Sequence, residues 1–321
     1  MGRKESKRFA DNKKVRELLQ KDEWTKEEEE FIRLSYSGYG ALNSSGSHLG
    51  QYFTPQKIVS FIHNLLDIPT GATVCEPSCG GGGFLNGLTD GVDIKACELA
   101  YEAAEVAQRL YPYAQIEQGD GLEFLEKHKE SFNYIIGNPP YGSAIEAKSR
   151  FANKKGKVDP VVVFLEKGIE ALQEGGILAM VVPDNILSDN KFQSFRAWAL
   201  ENALLLTSIS LPTETFYFAG TSTKTSVIVL QKPVESIDYG DYPVMMAVCE
   251  NVGWDSRGRE ISENDLPQIL FEWKLFMQER SEHIERLNDT DIEEVDIPTP
   301  SLEEVNIVRD STGQLQFDLI S

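Results

Sequence analysis

The feature that most constrains the fold is an apolar run at residues 134–136 that leads directly into two prolines. Proline has no backbone N–H and a fixed φ, so a central β-strand cannot continue through Pro139 and Pro140. The run therefore predicts a short buried strand that leaves its sheet at Asn138, at the edge where open α/β sheets bind ligands. The carbonyls of Asn138 and Pro139, with the ring of Tyr141, suit a planar base that carries an amino group. The alternative is a proline-rich turn without function, because short motifs also arise by chance.

Three earlier strands also end in a polar side chain. Short strand-like segments precede Glu76, Glu98 and Asp120, and Asn138 ends the next strand. Each acid alone has an ordinary alternative as a helix N-cap or a solvated charge. A series at adjacent carboxyl ends instead predicts one elongated ligand site on a Rossmann-like sheet. Glu98, about 20 residues after a glycine-rich turn, is placed to bond a ribose diol. Asp120 is placed to accept from an adenine amino group while Leu122 packs on the ring.

The glycine-rich turn at residues 80–83 follows the first of these strands, and the sequence predicts a helix after it. Glycine lets the backbone approach a ligand closely. An acid directly before the glycines repels phosphate and attracts a cation such as an amino group or a sulfonium. The spacing matches neither a dinucleotide fingerprint nor a phosphate-binding loop. Cys75 and Cys79 suggest half of a zinc site, but no second ligand pair with zinc spacing follows, so no metal site is predicted.

Two further segments stand out. A helix is predicted at residues 56–66, with Thr54 as its N-cap and Pro55 as its first residue, and an aromatic residue, Phe53, directly before the cap. The segment at residues 211–221 is too aromatic for a neutral surface loop and is a candidate binding element. Packing of its rings against the core is the alternative.

Charge is unevenly distributed along the chain. The net charge is −20, and residues 250–321 alone carry 18 acidic and 6 basic side chains. That balance does not suggest a nucleic-acid binder, but basic islands at residues 1–21 and 148–157 interrupt it. No apolar run approaches the ~20 residues of a membrane span, and no secretory-type segment follows the basic N-terminus.

The ordered motifs resemble those of DNA methyltransferases that modify the amino group of adenine. The motifs that carry the resemblance are Phe53-Thr54-Pro55, Glu76-Pro77-Ser78-Cys79-Gly80-Gly81-Gly82-Gly83, Glu98, Gly119-Asp120-Gly121-Leu122 and Asn138-Pro139-Pro140-Tyr141. The position of Phe-Thr-Pro before the other motifs is similar to the gamma order. The pattern is similar to the modification subunits of type I restriction–modification systems, over about residues 24–276.

The resemblance implies a cofactor and a role for each matched residue. S-adenosylmethionine would be the methyl donor, with Glu76 at its α-amino group, Glu98 at its ribose and Asp120 at its adenine. The residues implied to form the cofactor site are Phe53, Thr54, Pro55, Glu76, Ser78, Gly80, Glu98, Asp120, Leu122 and Asn138.

The acceptor site is implied in the same way. Asn138 and Pro139 would hold the target amino group, and Tyr141 would stack on the extruded base. The predicted catalytic set is Asn138, Pro139, Pro140 and Tyr141. The predicted substrate-binding residues are Tyr141, Phe216, Phe218, Lys154 and Lys155, with the two lysines on DNA phosphates.

The predicted fold class is α/β, the Rossmann-like fold of S-adenosylmethionine-dependent methyltransferases, with a seven-stranded, mostly parallel sheet. We divide the chain into an N-terminal helical and basic segment at 1–48, a catalytic domain at 49–235 and an acidic extension at 236–321 that binds a partner.

The predicted function is transfer of a methyl group to the N6 atom of adenine in double-stranded DNA, in the cytoplasm of a bacterium or a phage-infected cell and on its nucleoid. Only about fifty residues precede Phe53, and fewer than a hundred acidic-rich residues follow Lys232. A separate specificity subunit is therefore predicted to read the DNA, and a restriction subunit is a further candidate partner. The alternatives are a protein-glutamine or RNA methyltransferase, or a catalytically silent scaffold.

Overall fold

The computed structural model describes residues 7–36, 53–88, 91–219 and 221–288, and the backbone of two short strands beyond them. The helices are α1 (Lys7–Leu19), α2 (Lys26–Ser35), α3 (Gln56–Leu66), α4 (Tyr101–Leu110), α5 (Gly121–Lys127), α6 (Pro160–Ala171), α7 (Asp184–Ser188), α8 (Gln193–Asn202) and α9 (Leu266–Leu287). Among the described residues, 3-10 helical turns lie at Asn190–Phe192 and Thr213–Ala219. None of the described helices is long and apolar enough to cross a bilayer.

The strands of the central sheet are β1 (Thr73–Glu76), β2 (Asp93–Glu98), β3 (Gln115–Gln118), β4 (Phe132–Gly137), β7 (Leu172–Pro183), β8 (Leu204–Leu211), β9 (Thr225–Gln231) and β10 (Met245–Val248). Three separate hairpins hold the others: β5 (Ile145–Glu146) with β6 (Lys157–Val158), β11 (Val252–Trp254) with β12 (Glu260–Asn264), and β13 (Ile307–Arg309) with β14 (Leu315–Phe317).

The sheet order is β10-β8-β9-β7-β4-β1-β2-β3. β9 pairs antiparallel with both of its neighbours, and the other pairs are parallel. The predicted fold class and the mostly parallel sheet are confirmed. The described sheet has eight strands where seven were predicted, and the additional one is the edge strand β10, in the segment that we assigned to the acidic extension.

Local sequence explains where several helices begin. Thr25 caps α2 in a reciprocal pair with Glu28, Asp120 caps α5, and Asp159 caps α6 with Pro160 in its first turn. Each cap satisfies backbone N–H groups that have no partner inside the helix. The cap on α5 also fixes Asp120 at the end of β3, where the ligand site was predicted.

The helix predicted after the glycine-rich turn is absent, and residues 77–87 form a succession of turns. Gly82 in the turn and Gly87, four residues after the turn ends, have φ values of +82° and +94°, and a right-handed helix accommodates neither. A Cβ atom on Gly82 would lie 2.4 Å from Cε2 of Tyr111. This glycine is therefore required by the packing of the turn against the protein itself.

The predicted boundary at 235/236 does not separate folding units. β10 pairs with β8 in the central sheet, and α9 packs against α3. Trp273 of α9 is buried in the main hydrophobic cluster and donates from Nε1 to the Leu65 carbonyl, 2.7 Å away. Residues 245–288 thus complete the core of the same domain.

The N-terminal helices also belong to this body. Val15 of α1 and Ile32 of α2 are fully buried in one cluster with Val106 of α4. Arg16 forms an ion pair with Glu102 at 3.1 Å, and Arg109 donates to the Leu19 carbonyl at 3.0 Å. α1 and α2 therefore cover α4, the helix that packs on β2.

Candidate active site at the carboxyl ends of the strands

A cavity of about 580 Å³ opens at the carboxyl ends of β1, β2 and β4. That volume is typical of a site for a small organic molecule. The structure brings most of the predicted site residues together around it. Those lining the cavity are Phe53, Thr54, Glu76, Ser78, Gly80, Glu98, Asp120, Leu122, Asn138, Pro140 and Tyr141.

Two of the strand-end acids are almost completely buried, Glu76 at 2% exposure and Glu98 at 4%. Glu98 accepts hydrogen bonds from the backbone N–H groups of Gly80 at 2.8 Å and Ala100 at 2.7 Å. Burial raises the pKa of Glu98, and these backbone bonds oppose the rise. Burial, and then the charge of Glu98, raise the pKa of Glu76 well above its ordinary value.

The Oε2 atom of Glu76 is buried and accepts no hydrogen bond from the residues that the structure describes. A buried carboxylate oxygen without a donor is unfavourable unless a ligand supplies one. An ammonium group is the donor that best matches this position, because it provides N–H groups and compensates the charge. The donor set therefore fits a ligand that carries an amino group at the end of β1.

Asp120 has a structural task at the end of β3. One of its carboxylate oxygens accepts from the Leu122 backbone N–H at 2.8 Å, as the cap of α5. A Cβ atom on the next residue, Gly121, would lie 1.8 Å from the carbonyl oxygen of Pro77. Glycine is therefore required at 121 for the turns after β1 and β3 to meet at the cavity wall.

Asn138 is oriented by a residue 84 positions earlier in the chain. Its Nδ2 atom donates to Oγ1 of Thr54 at 3.0 Å. The prediction that Thr54 caps α3 is wrong, because Pro55 is the cap residue and no side chain bonds the helix N-terminus there. The hydroxyl of Thr54 instead holds the amide of Asn138 through its Nδ2 atom.

Tyr141 is held at its far end. Its hydroxyl donates to the Val181 carbonyl of β7 at 3.1 Å, and burial raises the pKa of this hydroxyl. The ring lines the cavity and also packs against a hydrophobic cluster that includes Phe164 and Val182. The phenol therefore positions the ring and is not poised to lose its proton.

The remaining predicted residues do not line this cavity. Pro139 is buried, and Pro55 lines a neighbouring cavity together with Phe53 and Thr54. Phe216 is fully buried in the main core, so the prediction that it closes over a base does not hold in this structure. The side chain of Phe218 lies outside the described residues.

Lys154 and Lys155 are exposed at the turn between β5 and β6, in the hairpin that follows Tyr141. They lie outside the cavity lining. Their position suits contact with a large anionic ligand that extends beyond the cavity.

Several lining residues were not predicted from the sequence. Leu99 lies directly after Glu98, is 59% exposed and lines the cavity. Ser143, Ala144 and Ile145, which follow Tyr141, also line the cavity. An apolar residue immediately after a strand-end acid is a sequence signal that would have identified Leu99. The other three follow from the course of the hairpin, which the sequence does not specify.

Known proteins share both the sequence pattern and the fold. The type II methyltransferase M.TthHB8I of Thermus thermophilus is 32% identical over 170 residues, which are 48% of this chain and 39% of that protein. The type I restriction enzyme EcoEI methylase subunit of Escherichia coli is 25% identical over 230 residues, 63% of this chain and 46% of that one. The chain spans less than half the length of both relatives.

A solved structure shows the same fold. It is a putative class I S-adenosylmethionine-dependent methyltransferase from Listeria monocytogenes, with a TM-score of 0.61 and 17% identity. The match covers 82% of this chain and 89% of that one. The likeness confirms the predicted class of fold.

The model of the N-6 DNA methylase family matches residues 40–299. This range includes all of the residues around the cavity and the whole of α9. The resemblance predicted from the ordered motifs is thereby confirmed, and the chain belongs to the N-6 DNA methylase family.

Proposed function

We propose that this chain transfers a methyl group from S-adenosylmethionine to the N6 atom of an extruded adenine in double-stranded DNA. The observation that carries the proposal is the amide of Asn138, oriented by Thr54 beside a cavity that also holds three strand-end carboxyl groups. The amide belongs to the acceptor and the carboxyl groups to the donor. Membership of the N-6 DNA methylase family supports the same assignment.

S-adenosylmethionine is the methyl donor of this class of enzyme, and it supplies an electrophilic methyl group on a sulfonium. Glu76 would accept from its α-ammonium group, since Oε2 lacks a donor among the described residues. Glu98 would accept from the ribose diol, and Asp120 and Leu122 would flank the adenine. The remaining residues assigned to the donor are Phe53, Thr54, Pro55, Ser78 and Gly80.

The acceptor residues would make a poor nucleophile reactive without a general base to remove a proton. The lone pair of an adenine amino group is delocalised into the ring. Asn138 Oδ1 and the Pro139 carbonyl would each accept one N–H bond of that group, which favours a pyramidal nitrogen with its lone pair directed at the methyl group. Rate then comes from alignment and from oriented dipoles. Extrusion of the base costs a few kcal/mol, and stacking on Tyr141 offsets part of that cost.

The test is methyl transfer by the purified chain. Radiolabelled S-adenosylmethionine is incubated with adenine-unmethylated duplex DNA, with RNA and with a glutamine-containing peptide, and the product is identified by mass spectrometry. The proposal predicts N6-methyladenine in DNA. The Asn138→Ala variant is the matched control and should show no transfer. Label found only in RNA or in the peptide would overturn it.

We further propose that a separate subunit chooses the DNA sequence, with a restriction subunit as a second candidate partner. The net charge of −20 opposes tight DNA binding by the chain alone. One relative of this chain, the EcoEI methylase of Escherichia coli, is itself a subunit of a type I restriction enzyme. The chain is expected to bind duplex DNA weakly and to gain sequence preference with its partner. Tight sequence-specific binding by the chain alone would contradict the subunit proposal.

The site of action and the organisation of the chain follow from this proposal. The protein would act in the cytoplasm of a bacterium or of a phage-infected cell, on nucleoid DNA. The segments 7–36 and 245–288 would belong to the catalytic body, and the sequence beyond 288 would be the part available to a partner.

A further inference from the structure

Residues 142–158 connect the acceptor motif to α6 through the hairpin of β5 and β6. The first residues of this connection, including Ser143 and Ile145, line the cavity. Its turn exposes Lys154 and Lys155. The hairpin therefore links the wall of the cavity to a basic surface, and its rigidity determines how the two are placed relative to each other.

Glu166 is a buried carboxylate on α6, a helix that is otherwise mostly apolar on its buried faces, and its side chain is only 2% exposed. Its donors come from the hairpin. The Ser149 hydroxyl donates to Oε2, and Arg150 donates to Oε1 from its backbone N–H at 3.2 Å and from Nε at 2.9 Å.

Arg150 and the next residue, Phe151, make further contacts with α6 and α8. Nη2 of Arg150 lies 2.5 Å from Oε1 of Glu170, and its guanidinium lies 4.4 Å from the ring centre of Trp198. Phe151 packs edge to face with Trp198 at 5.6 Å, measured between ring centres. Residues 149–151 therefore form a latch that fixes the middle of the hairpin to α6 and α8.

The burial of Glu166 couples the helix to the docked hairpin. A carboxylate that loses its donors while it remains buried is strongly unfavourable. Undocking of residues 149–151 would remove every donor that the described residues supply to Glu166. The docked hairpin is therefore favoured before any DNA binds, and little conformational entropy is lost on binding.

We propose that Glu166 is a positioning residue that holds the hairpin as a preformed arm for the phosphates of the DNA strand that carries the target base. This inference rests on the proposed function. Glu166 touches neither cofactor nor base, and it acts through Ser149 and Arg150 on the placement of Lys154 and Lys155.

The sign of the charge change makes this inference testable. Glu166→Gln removes a negative charge, so simple electrostatics predicts tighter binding to a polyanion. Loss of the latch predicts weaker binding, because the lysines are no longer held in place. The matched control is Glu174→Gln, which removes the same charge at an exposed position in β7.

The measurement is the Kd for a fluorescent duplex by anisotropy at fixed salt, together with KM for DNA, kcat and calorimetric affinity for S-adenosylmethionine. We expect Glu166→Gln to raise Kd and KM for DNA by roughly 10-fold, because the variant loses a charge-assisted hydrogen-bond network. kcat and cofactor affinity should stay within about 2-fold, and Glu174→Gln should leave all four values unchanged or tighten DNA binding slightly.

A mutant cycle then separates positioning from general damage. In a Lys154→Ala/Lys155→Ala background, which itself binds DNA more weakly, Glu166→Gln should add less than about 2-fold, because coupled residues are not additive. Full additivity of the two changes would overturn the inference. Hydrogen exchange of the 142–158 peptide should rise in Glu166→Gln and not in Glu174→Gln.

Ser149→Ala provides a second variant that keeps the charge and tests the latch if Glu166→Gln does not fold. It should raise Kd for DNA by about 3-fold, the loss of one hydrogen bond. Wild-type transfer to DNA with unchanged Kd in both variants would overturn this inference alone. Label transferred by the wild-type protein only to RNA or to the peptide would overturn the proposed function, and this inference with it.

Discussion

The proposed methyl-donor half and the proposed acceptor half of the cavity are built in different ways. On the donor side, Glu98 is held by backbone N–H groups 18 and 2 residues away, and Asp120 by one 2 residues away. On the acceptor side, Asn138 is held by a side chain 84 residues away and Tyr141 by a carbonyl 40 residues away. Backbone groups at most 18 residues away thus hold Glu98 and Asp120, while groups 40 or more residues away hold Asn138 and Tyr141.

The two halves also differ in electrostatics. Glu76 and Glu98 are buried acids with raised pKa values. Their ionised forms are therefore unfavourable until a cation binds on the donor side. The described acceptor side presents an amide and a phenol, which remain neutral at physiological pH. Changes on the donor side should therefore alter affinity and pH dependence, and changes on the acceptor side should alter the rate.

The largest expected effect is on the acceptor side. Asn138→Ala removes the carbonyl that would align the amino group, and it should lower kcat by at least about 10²-fold, as for loss of one preorganised dipole. Affinity for S-adenosylmethionine, measured by calorimetry, should stay within a few-fold. An equal loss of rate and cofactor affinity would abolish the distinction between the halves.

Glu76→Gln tests the donor side. Loss of a charge-assisted bond to an ammonium group should weaken cofactor binding by roughly 10- to 100-fold in calorimetry. A variant with unchanged affinity would remove Glu76 from the cofactor site. The exposed Glu174→Gln serves as the control for loss of one negative charge.

The same variant has an opposite effect on stability. The folded chain raises the pKa of Glu76 above its ordinary value of 4.5, so it binds this proton more tightly than the unfolded chain does. The free energy of unfolding should therefore fall as pH rises above that value, and a neutral Gln avoids the loss. Without cofactor, Glu76→Gln should melt at a higher temperature than wild type near about pH 8, with a smaller gap near about pH 5. A gap that widens towards acid would contradict the buried-acid interpretation.

Thr54→Val tests the long-range support of Asn138. Valine keeps the shape but cannot accept from Nδ2, so the amide loses its fixed orientation. kcat should fall by about 10-fold, the upper range for one hydrogen bond, and by more than the affinity for the cofactor, which Thr54 is also assigned to contact. Thr54→Ser keeps the hydroxyl and should restore most of the rate. If serine and valine behave alike, the hydroxyl has no role in orienting the amide.

Tyr141→Phe should have the smallest effect. It keeps the stacking ring and removes only the anchor to Val181, so kcat/KM for DNA should fall by about 3-fold. Tyr141→Ala should lose far more, because stacking itself is worth about 1–3 kcal/mol per base. Tyr239→Phe, at a hydroxyl outside the cavity that accepts from the Val234 N–H, is the control. A larger loss for Phe than for Ala would contradict the stacking role.

The sequence by itself determined the alternation of strands and helices, the polar residue at each strand end and the order of the motifs. These are local properties: an apolar run, a cap or two prolines act on the backbone within a few residues. They were enough to predict the parallel sheet and to place Glu76, Glu98, Asp120 and Asn138 at one edge of it.

Only the tertiary structure decided which groups orient that edge. The bond from Asn138 to Thr54, the burial of Phe216, the eighth strand and the packing of Trp273 all join residues far apart in the chain. A threonine before a proline suits a helix cap as well as an amide partner, and an aromatic run suits a core as well as a binding loop. The choice depends on which partner the folded chain brings within hydrogen-bond distance, and the local sequence does not specify that distance.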